Sequence, residues 1–252
     1  AALKKGSNVV VLDGNTVGIL PDEWLRKWGL MAGLGEAGKD CVRFGRSQAG
    51  LLDALIAAQP EVRCDEAFAR ARAELRRFET IEPAHAPASF QGRLRDYQRE
   101  GLGWLHFLRR FGFGGCLADD MGLGKTIQAL ALLDALRAER GPAEGKPSLV
   151  VAPRSLLFNW EQEAARFTPN LRVLTHAGMA RSRQAADFSG CDLVLTTYGT
   201  LRRDITFLKD VPFLYAILDE AQAIKNAGTA SAKAARLLRA DHRLALSGTP
   251  VE

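Results

Sequence analysis

Asp119-Asp120-Met121-Gly122-Leu123-Gly124-Lys125-Thr126 is the stretch that decides the fold, because it joins an apolar run to a predicted helix at residues 125–139. Gly122 and Gly124 carry no Cβ, so their backbone N–H groups can point inward at phosphate oxygens. The helix that begins at Lys125 adds its positive dipole end. The stretch predicts a nucleotide site formed by Gly122, Leu123, Gly124, Lys125 and Thr126, with Lys125 on the β- and γ-phosphates and the Thr126 hydroxyl on Mg²⁺.

This loop departs from the general pattern G-x-x-x-x-G-K-[ST], since Asp119 occupies the position of the first glycine. The alternative interpretation is a glycine-rich turn followed by an ordinary helix start. An apolar strand signal before the loop and a helix signal after it favour the phosphate site.

An acidic pair, Asp219-Glu220, follows a second apolar run at residues 213–218. Adjacent carboxylates at a strand end can divide two tasks of phosphate hydrolysis. We predict that Asp219 holds Mg²⁺, commonly through water, and that Glu220 orients and deprotonates the attacking water. The predicted catalytic residues are therefore Glu220, Lys125 and Asp219. Two solvated acids that cap the next helix are the alternative.

Two weaker signals accompany these motifs. Ser247-Gly248-Thr249-Pro250 follows another apolar run, and its hydroxyl groups can hydrogen-bond the acidic pair and sense the γ-phosphate. Gln98 precedes the phosphate loop, and an amide can donate to and accept from an adenine edge at once. An ordinary turn and a surface glutamine are the respective alternatives.

Helix and strand signals alternate after residue 88. Helices are predicted at 95–111, 125–139 and 155–167, and strands at 114–118, 148–152, 171–175, 193–197, 213–218 and 243–246. This order predicts an α/β fold with a parallel sheet covered by helices on both faces. Ligands of such sheets bind beyond the carboxyl ends of the strands, where the motifs above lie.

The first part of the chain differs in character. A Pro-, Ala- and Ser-containing stretch at 82–92 predicts a linker, so we expect a small α+β accessory region at 1–88 and an ATPase lobe at 89–252. The accessory region is predicted to contain a hairpin with strands at 8–12 and 16–20, a short helix at 21–28, and helices at 47–58 and 64–78.

Composition narrows the classes of protein and partner. The 252 residues are 47% hydrophobic and 25% charged, as in ordinary globular proteins. No apolar run approaches the roughly 18 residues of a membrane span, so no membrane partner is expected. A formal net charge of +5 permits a polyanionic partner. The four cysteines show no C-x-x-C spacing and the four histidines are scattered, which favours buried free thiols over a zinc site.

The motifs in their order resemble the Snf2 family of superfamily 2 helicase-like ATPases. The resemblance covers residues 92–252 and is carried by residues 94–105, 119–126, 151–156, 159–161, 196–200, 218–226 and 245–252. It implies a RecA-like P-loop lobe that uses ATP and Mg²⁺, binds double-stranded DNA and reads adenine with Gln98. By position only, it also implies DNA contacts by Arg154, Thr197, Tyr198, Lys225 and Asn226.

Family members have two RecA-like lobes and translocate along duplex DNA. No motif of the second lobe occurs in this chain, so we expect an isolated fragment of these residues to be nearly inactive. Residues 1–88 resemble the accessory region of bacterial members, which implies a bacterial, cytoplasmic and nucleoid-associated protein. Three alternatives stay open: an RNA-dependent ATPase or helicase of the same superfamily, an ATP-gated DNA-binding scaffold, and an accessory region that binds RNA polymerase or a repair protein.

Overall fold

The computed structural model describes residues 9–11, 17–19, 22–23, 29, 34–37, 41–45, 48–56, 63–76, 80–140, 145–179, 181 and 184–248. The chain forms two compact units, Ala1–Glu79 and Thr80–Glu252. Residues 80–95 belong to the second unit because they pack along its helices: the Ala84 N–H donates to the Arg99 carbonyl at 2.9 Å and the Phe90 ring stacks on Phe167.

The described residues of the first unit include two short antiparallel strand pairs and two helices. Strand β1 (Val9–Val11) pairs with β2 (Val17–Ile19), and β3 (Glu36–Ala37) pairs with β4 (Val42–Arg43). The predicted turn at 13–15 and the predicted helical residues 24–28 lie outside the described residues. Helix α1 (Ala49–Ile56) and helix α2 (Glu66–Arg76) are joined by ion pairs from α2 arginines to Asp53.

The second unit alternates strands and helices as predicted. Its helices are α3 (Asp96–Phe111), α4 (Lys125–Arg140), α5 (Leu157–Phe167), α6 (Tyr198–Leu208) and α7 (Ala230–Leu237). Its strands are β5 (Gly115–Leu117), β6 (Ser148–Ala152), β7 (Val173–His176), β8 (Leu193–Thr197), β9 (Pro212–Leu218) and β10 (Arg239–Leu246). Short 3₁₀ turns cover Arg154–Leu156, Ala185–Phe188 and Ala221–Ile224.

The six strands form one parallel sheet in the order β5-β10-β9-β6-β8-β7. Side chains alternate between two cores, as the two-residue period of a strand requires. In β6, for example, Val150 and Ala152 join the core with α3, α4 and α5, whereas Leu149 and Val151 join the core with α6 and α7. The predicted α/β fold with helices on both faces of a parallel sheet is confirmed.

Several details differ from the predictions. Strand β7 begins at Val173 rather than residue 171, and helices α6 and α7 are not among the predicted helices. Strand β10 begins at Arg239 rather than residue 243, because its polar first half still pairs with β9 through the backbone. The prediction of buried thiols is wrong for Cys41, Cys64 and Cys116, which are exposed, while Cys191 is half-buried; all four are free. Among the described residues, no helix is long and apolar enough to cross a membrane, and no cluster of His, Cys, Asp or Glu could hold a metal by itself.

Candidate nucleotide-binding site

The motif residues converge because their strands are neighbours in the sheet. The phosphate loop follows β5, Ser247 follows β10, Asp219 follows β9, Arg154 lies just after β6, and Thr197 ends β8. All strands are parallel, so these residues share the carboxyl edge, where open α/β sheets bind ligands. The Ser247 N–H donates to the Leu117 carbonyl at 3.1 Å, which joins the end of β10 to the base of the phosphate loop.

The phosphate loop has the backbone conformation that its glycines predict. Gly122 and Gly124 have φ of 85° and 77°, in the left-handed region that residues other than glycine rarely adopt. The Lys125 ammonium lies over the loop, where it donates to the carbonyls of Asp119 at 2.6 Å and Asp120 at 3.0 Å. The loop thus brings an ammonium group to the amino end of α4, an arrangement that suits a bound phosphate.

Gln98 lies beneath the loop rather than on an open surface. Its Nε2 donates to the Leu123 carbonyl at 3.1 Å, and its Oε1 accepts from the Arg95 N–H at 2.9 Å. The Tyr97 hydroxyl donates to the same Leu123 carbonyl at 3.1 Å. The first turn of α3 therefore supports the phosphate loop through Gln98 and Tyr97, and the adenine contact of Gln98 stays a prediction.

Asp219 is buried, and each of its carboxylate oxygens accepts an N–H. Trp160 Nε1 donates to Oδ2 at 2.8 Å, and the Glu220 backbone N–H donates to Oδ1 at 2.9 Å. Burial raises the pKa of Asp219 above its ordinary value, while the Trp160 hydrogen bond acts in the opposite direction, as does the positive charge of Lys125. The phosphate loop and the acidic pair lie at the same edge of the sheet, because only β10 separates β5 from β9.

Glu220 has an unusual backbone. Among the described residues it is the one non-glycine residue with positive φ (φ 47°, ψ 55°). Such conformations persist where the surrounding structure enforces them, commonly at functional sites. The Gln222 Nε2 donates to Glu220 Oε2 at 2.5 Å, and the Glu220 side chain makes no cap hydrogen bond to the turn that follows.

The residues present match a phosphate group with a divalent cation. A Cβ at Gly124 would lie 2.6 Å from Gln98 Nε2, and a Cβ at Gly248 would lie 2.7 Å from Met121 Cγ. The phosphate loop therefore packs closely on Gln98 and on the end of β10, where a Cβ at Gly248 would also lie 3.9 Å from Lys125 Nζ. Thr126 and Asp219 supply hydroxyl and carboxylate oxygens, which are the ligand types that Mg²⁺ prefers.

The five predicted nucleic-acid residues divide into two groups. One group is exposed: Arg154 follows β6, and Lys225 and Asn226 follow β9, and these two strands are neighbours in the sheet. Thr197 and Tyr198 are buried and make internal hydrogen bonds. Thr197 caps α6 by accepting the Thr200 N–H at 3.0 Å, and the Tyr198 hydroxyl donates to the Asp219 carbonyl at 2.8 Å. Burial also raises the pKa of Tyr198 above its ordinary value.

Sequence reasoning missed two residues of the site. Trp160 and Gln222 matched family motifs, but no local pattern indicated that their side chains reach Asp219 and Glu220. The sequence offered one signal for the contact between Trp160 and Asp219: the N–H of a buried tryptophan needs a hydrogen-bond acceptor. Ser247 is connected to Glu220 through Gln222, since its hydroxyl donates to Gln222 Oε1 at 3.2 Å.

The parallel sheet, the left-handed phosphate loop and the acidic pair together define the class of protein: a RecA-like ATPase lobe of the helicase-like type. A family model described as the SNF2-related domain matches residues 97–252. The chain belongs to this family.

Three comparisons show how near the relatives are. The chain is 47% identical over 167 residues to YwqA of Bacillus subtilis (strain 168), which covers 65% of this chain and 18% of YwqA. It is 35% identical over 182 residues to the TATA-binding protein-associated factor MOT1 of Saccharomyces cerevisiae, and this match covers 68% of this chain and 10% of MOT1. It matches the solved structure of the Sulfolobus solfataricus SWI2/SNF2 ATPase core in complex with dsDNA with a TM-score of 0.60 and 42% identity. This match covers 69% of this chain and 35% of the Sulfolobus chain. The chain thus spans a tenth to a fifth of these curated relatives.

Proposed function

We propose that this chain is the nucleotide-binding lobe of a DNA-dependent ATPase that couples ATP hydrolysis to translocation on double-stranded DNA or to remodelling of protein–DNA complexes. The observation that carries the proposal is the convergence of Lys125, Asp219 and Glu220 at the carboxyl edge of one parallel sheet. Membership of the SNF2-related family supports it.

Each residue of the site then has a task. Lys125 binds the β- and γ-phosphates, and the loop N–H groups cradle them. Thr126 and Asp219 would hold Mg²⁺, which neutralises charge on the phosphates when bound. Glu220 accepts the proton of the attacking water, and Gln222 holds the Glu220 carboxylate in position.

The DNA part of the proposal depends on the exposed residues of the same edge. Arg154, Lys225 and Asn226 offer two cations and an amide, a set suited to phosphate oxygens of a nucleic-acid backbone. The solved core of Sulfolobus solfataricus that resembles this lobe was determined with dsDNA. Such a protein would act at the nucleoid of the bacterial cytoplasm, the location expected from the sequence.

The decisive experiment measures ATP turnover by the full-length protein with duplex DNA, single-stranded DNA or RNA added side by side. We expect duplex DNA to give the largest stimulation, and we expect added salt to weaken it because phosphate contacts release counterions. Greater stimulation by RNA would favour the RNA-dependent alternative. Nucleotide binding without turnover under any of these conditions would favour the ATP-gated scaffold.

A variant control assigns the turnover to this site. Lys125→Ala should weaken nucleotide binding by at least about tenfold, because an ammonium that contacts two phosphates is removed. An unchanged dissociation constant would remove Lys125 from the phosphate site.

A further inference from the structure

Helix α5 contacts the acidic pair through one buried indole. The helix buries Leu157, Trp160 and Ala164 on one face, and Trp160 is fully inaccessible to solvent. Its Nε1 donates to Asp219 Oδ2 at 2.8 Å across 59 positions of sequence. A residue of a neighbouring helix therefore reaches the carboxylate that is proposed to hold the metal.

The backbone of Asp219 is fixed independently of this contact. Its N–H donates to the Val151 carbonyl at 2.9 Å, and its carbonyl accepts from the Tyr198 hydroxyl at 2.8 Å. The side chain has fewer restraints: Oδ1 accepts the N–H of the next residue, and Oδ2 accepts the Trp160 indole. Among the described hydrogen bonds, the indole is the side-chain donor that determines how the carboxylate is rotated.

We propose that Trp160 is a positioning residue, which orients Asp219 for a divalent cation and so sets the metal dependence of nucleotide binding. This proposal rests on the proposed function, because it requires Asp219 to hold Mg²⁺. A carboxylate that accepts one N–H on each oxygen keeps a second lone pair on each, and a fixed orientation of the group fixes the directions of both. Partners that orient a metal ligand typically affect metal affinity by about 10- to 100-fold.

A purely structural role for Trp160 is the competing explanation. A buried indole packs a large apolar surface and needs an acceptor for its N–H, so the hydrogen bond would exist even if Asp219 held no metal. The two roles differ in what they predict. Lost packing lowers stability and affects all nucleotide binding, whereas lost orientation affects only the part of binding that depends on the metal.

The test uses the full-length protein with Trp160→Phe, and with β-(3-benzothienyl)alanine at position 160, which keeps the indole shape but replaces N–H with sulfur. Binding of a fluorescent ADP analogue is titrated in EDTA and at increasing Mg²⁺, and thermal unfolding is followed in parallel. Trp104→Phe is the matched control, because this tryptophan of α3 packs beside Gly115 and not against Asp219.

We expect both position-160 variants to need about tenfold more Mg²⁺ for half-maximal binding, with affinity in EDTA within about twofold of wild type. Trp104→Phe should leave the Mg²⁺ requirement unchanged. An unchanged Mg²⁺ requirement in the benzothienyl variant would overturn the proposal, as would an equal loss of affinity with and without Mg²⁺. If the wild-type protein itself shows no Mg²⁺-dependent binding, the proposed function fails first, and this inference fails with it.

Discussion

The Ser247 hydroxyl donates to Gln222 Oε1 at 3.2 Å, and this contact joins the end of β10 to the turn that follows the acidic pair. The other end of the same amide donates to Glu220 Oε2. Gln222 therefore uses both its acceptor and its donor, and it connects the Ser247 motif to the proposed water-activating carboxylate. A change at the end of β10 can reach Glu220 through one side chain.

The first prediction concerns this amide. Gln222→Glu keeps the shape of the side chain but replaces the donor with a carboxylate, which repels Glu220. We expect the kcat of ATP hydrolysis to fall roughly tenfold, since a general base loses its position, with little change in nucleotide affinity. Gln162→Glu on the exposed side of α5 is the control for added charge. A wild-type kcat in the Gln222 variant would show that the hydrogen bond from Gln222 does not orient Glu220.

Glu220→Gln tests the water-activating role itself. The amide has nearly the size of the carboxylate and tolerates the same backbone, but it cannot accept a proton from water. We expect single-turnover hydrolysis to fall by about 10²- to 10⁴-fold, with nucleotide affinity within about twofold of wild type. The measurement is single-turnover hydrolysis beside equilibrium nucleotide binding. Retained hydrolysis would exclude Glu220 as the base.

Gly124→Ala tests the shape of the phosphate loop. The new Cβ would lie 2.6 Å from Gln98 Nε2, and the backbone has a φ of 77° that alanine disfavours. We expect the loop to move and nucleotide affinity to fall at least about tenfold, with about 1–2 kcal/mol lost from the free energy of unfolding.

Gly228→Ala is the matched control for Gly124→Ala. A Cβ at Gly228 would meet nothing within 4 Å, and this residue lies outside the phosphate loop. Titration with a fluorescent nucleotide and thermal unfolding compare the two variants. Equal nucleotide affinities would contradict the conformation assigned to the loop.

A buried ion pair between Arg181 and Asp204 is expected to affect the stability of this lobe in acid. Arg181 donates through Nε and Nη2 to both oxygens of Asp204 at 2.5 and 2.8 Å, and His176 Nε2 lies 2.9 Å from Oδ2. The Arg181 hydrogen bonds hold the pKa of Asp204 below its ordinary value of 3.8. A lowered pKa contributes stability that is present above the unfolded value and is lost as pH falls through the folded value.

Arg181→Gln should therefore move acid unfolding to higher pH, and Asp204→Asn should lower Tm at neutral pH by on the order of 10 °C, because a buried charge loses its partner. Circular dichroism during acid titration and heating measures both changes. Lys146→Gln is the control, since its pair with Asp241 is largely exposed and should contribute little. An acid midpoint unaltered by Arg181→Gln would contradict this account.

Much of the lobe could be predicted because its elements have strong local signals. The bounds of β6 and β8 match the predicted 148–152 and 193–197, since both strands are fully buried and most of their residues are apolar or β-branched. The polar start of β10 could not be predicted, because backbone pairing with β9 and not apolar side chains makes it a strand.

The sequence by itself determined the nucleotide chemistry: glycines that permit the loop, a lysine at a helix start, and a carboxylate pair at a strand end. Only the tertiary structure decided which side chains surround them. Tyr198 is predicted to contact nucleic acid and yet lies buried on the Asp219 carbonyl, and Trp160 reaches the Asp219 carboxylate from another helix. Such contacts depend on which strands become neighbours in the sheet, and that order follows from the packing of the whole lobe rather than from any local pattern.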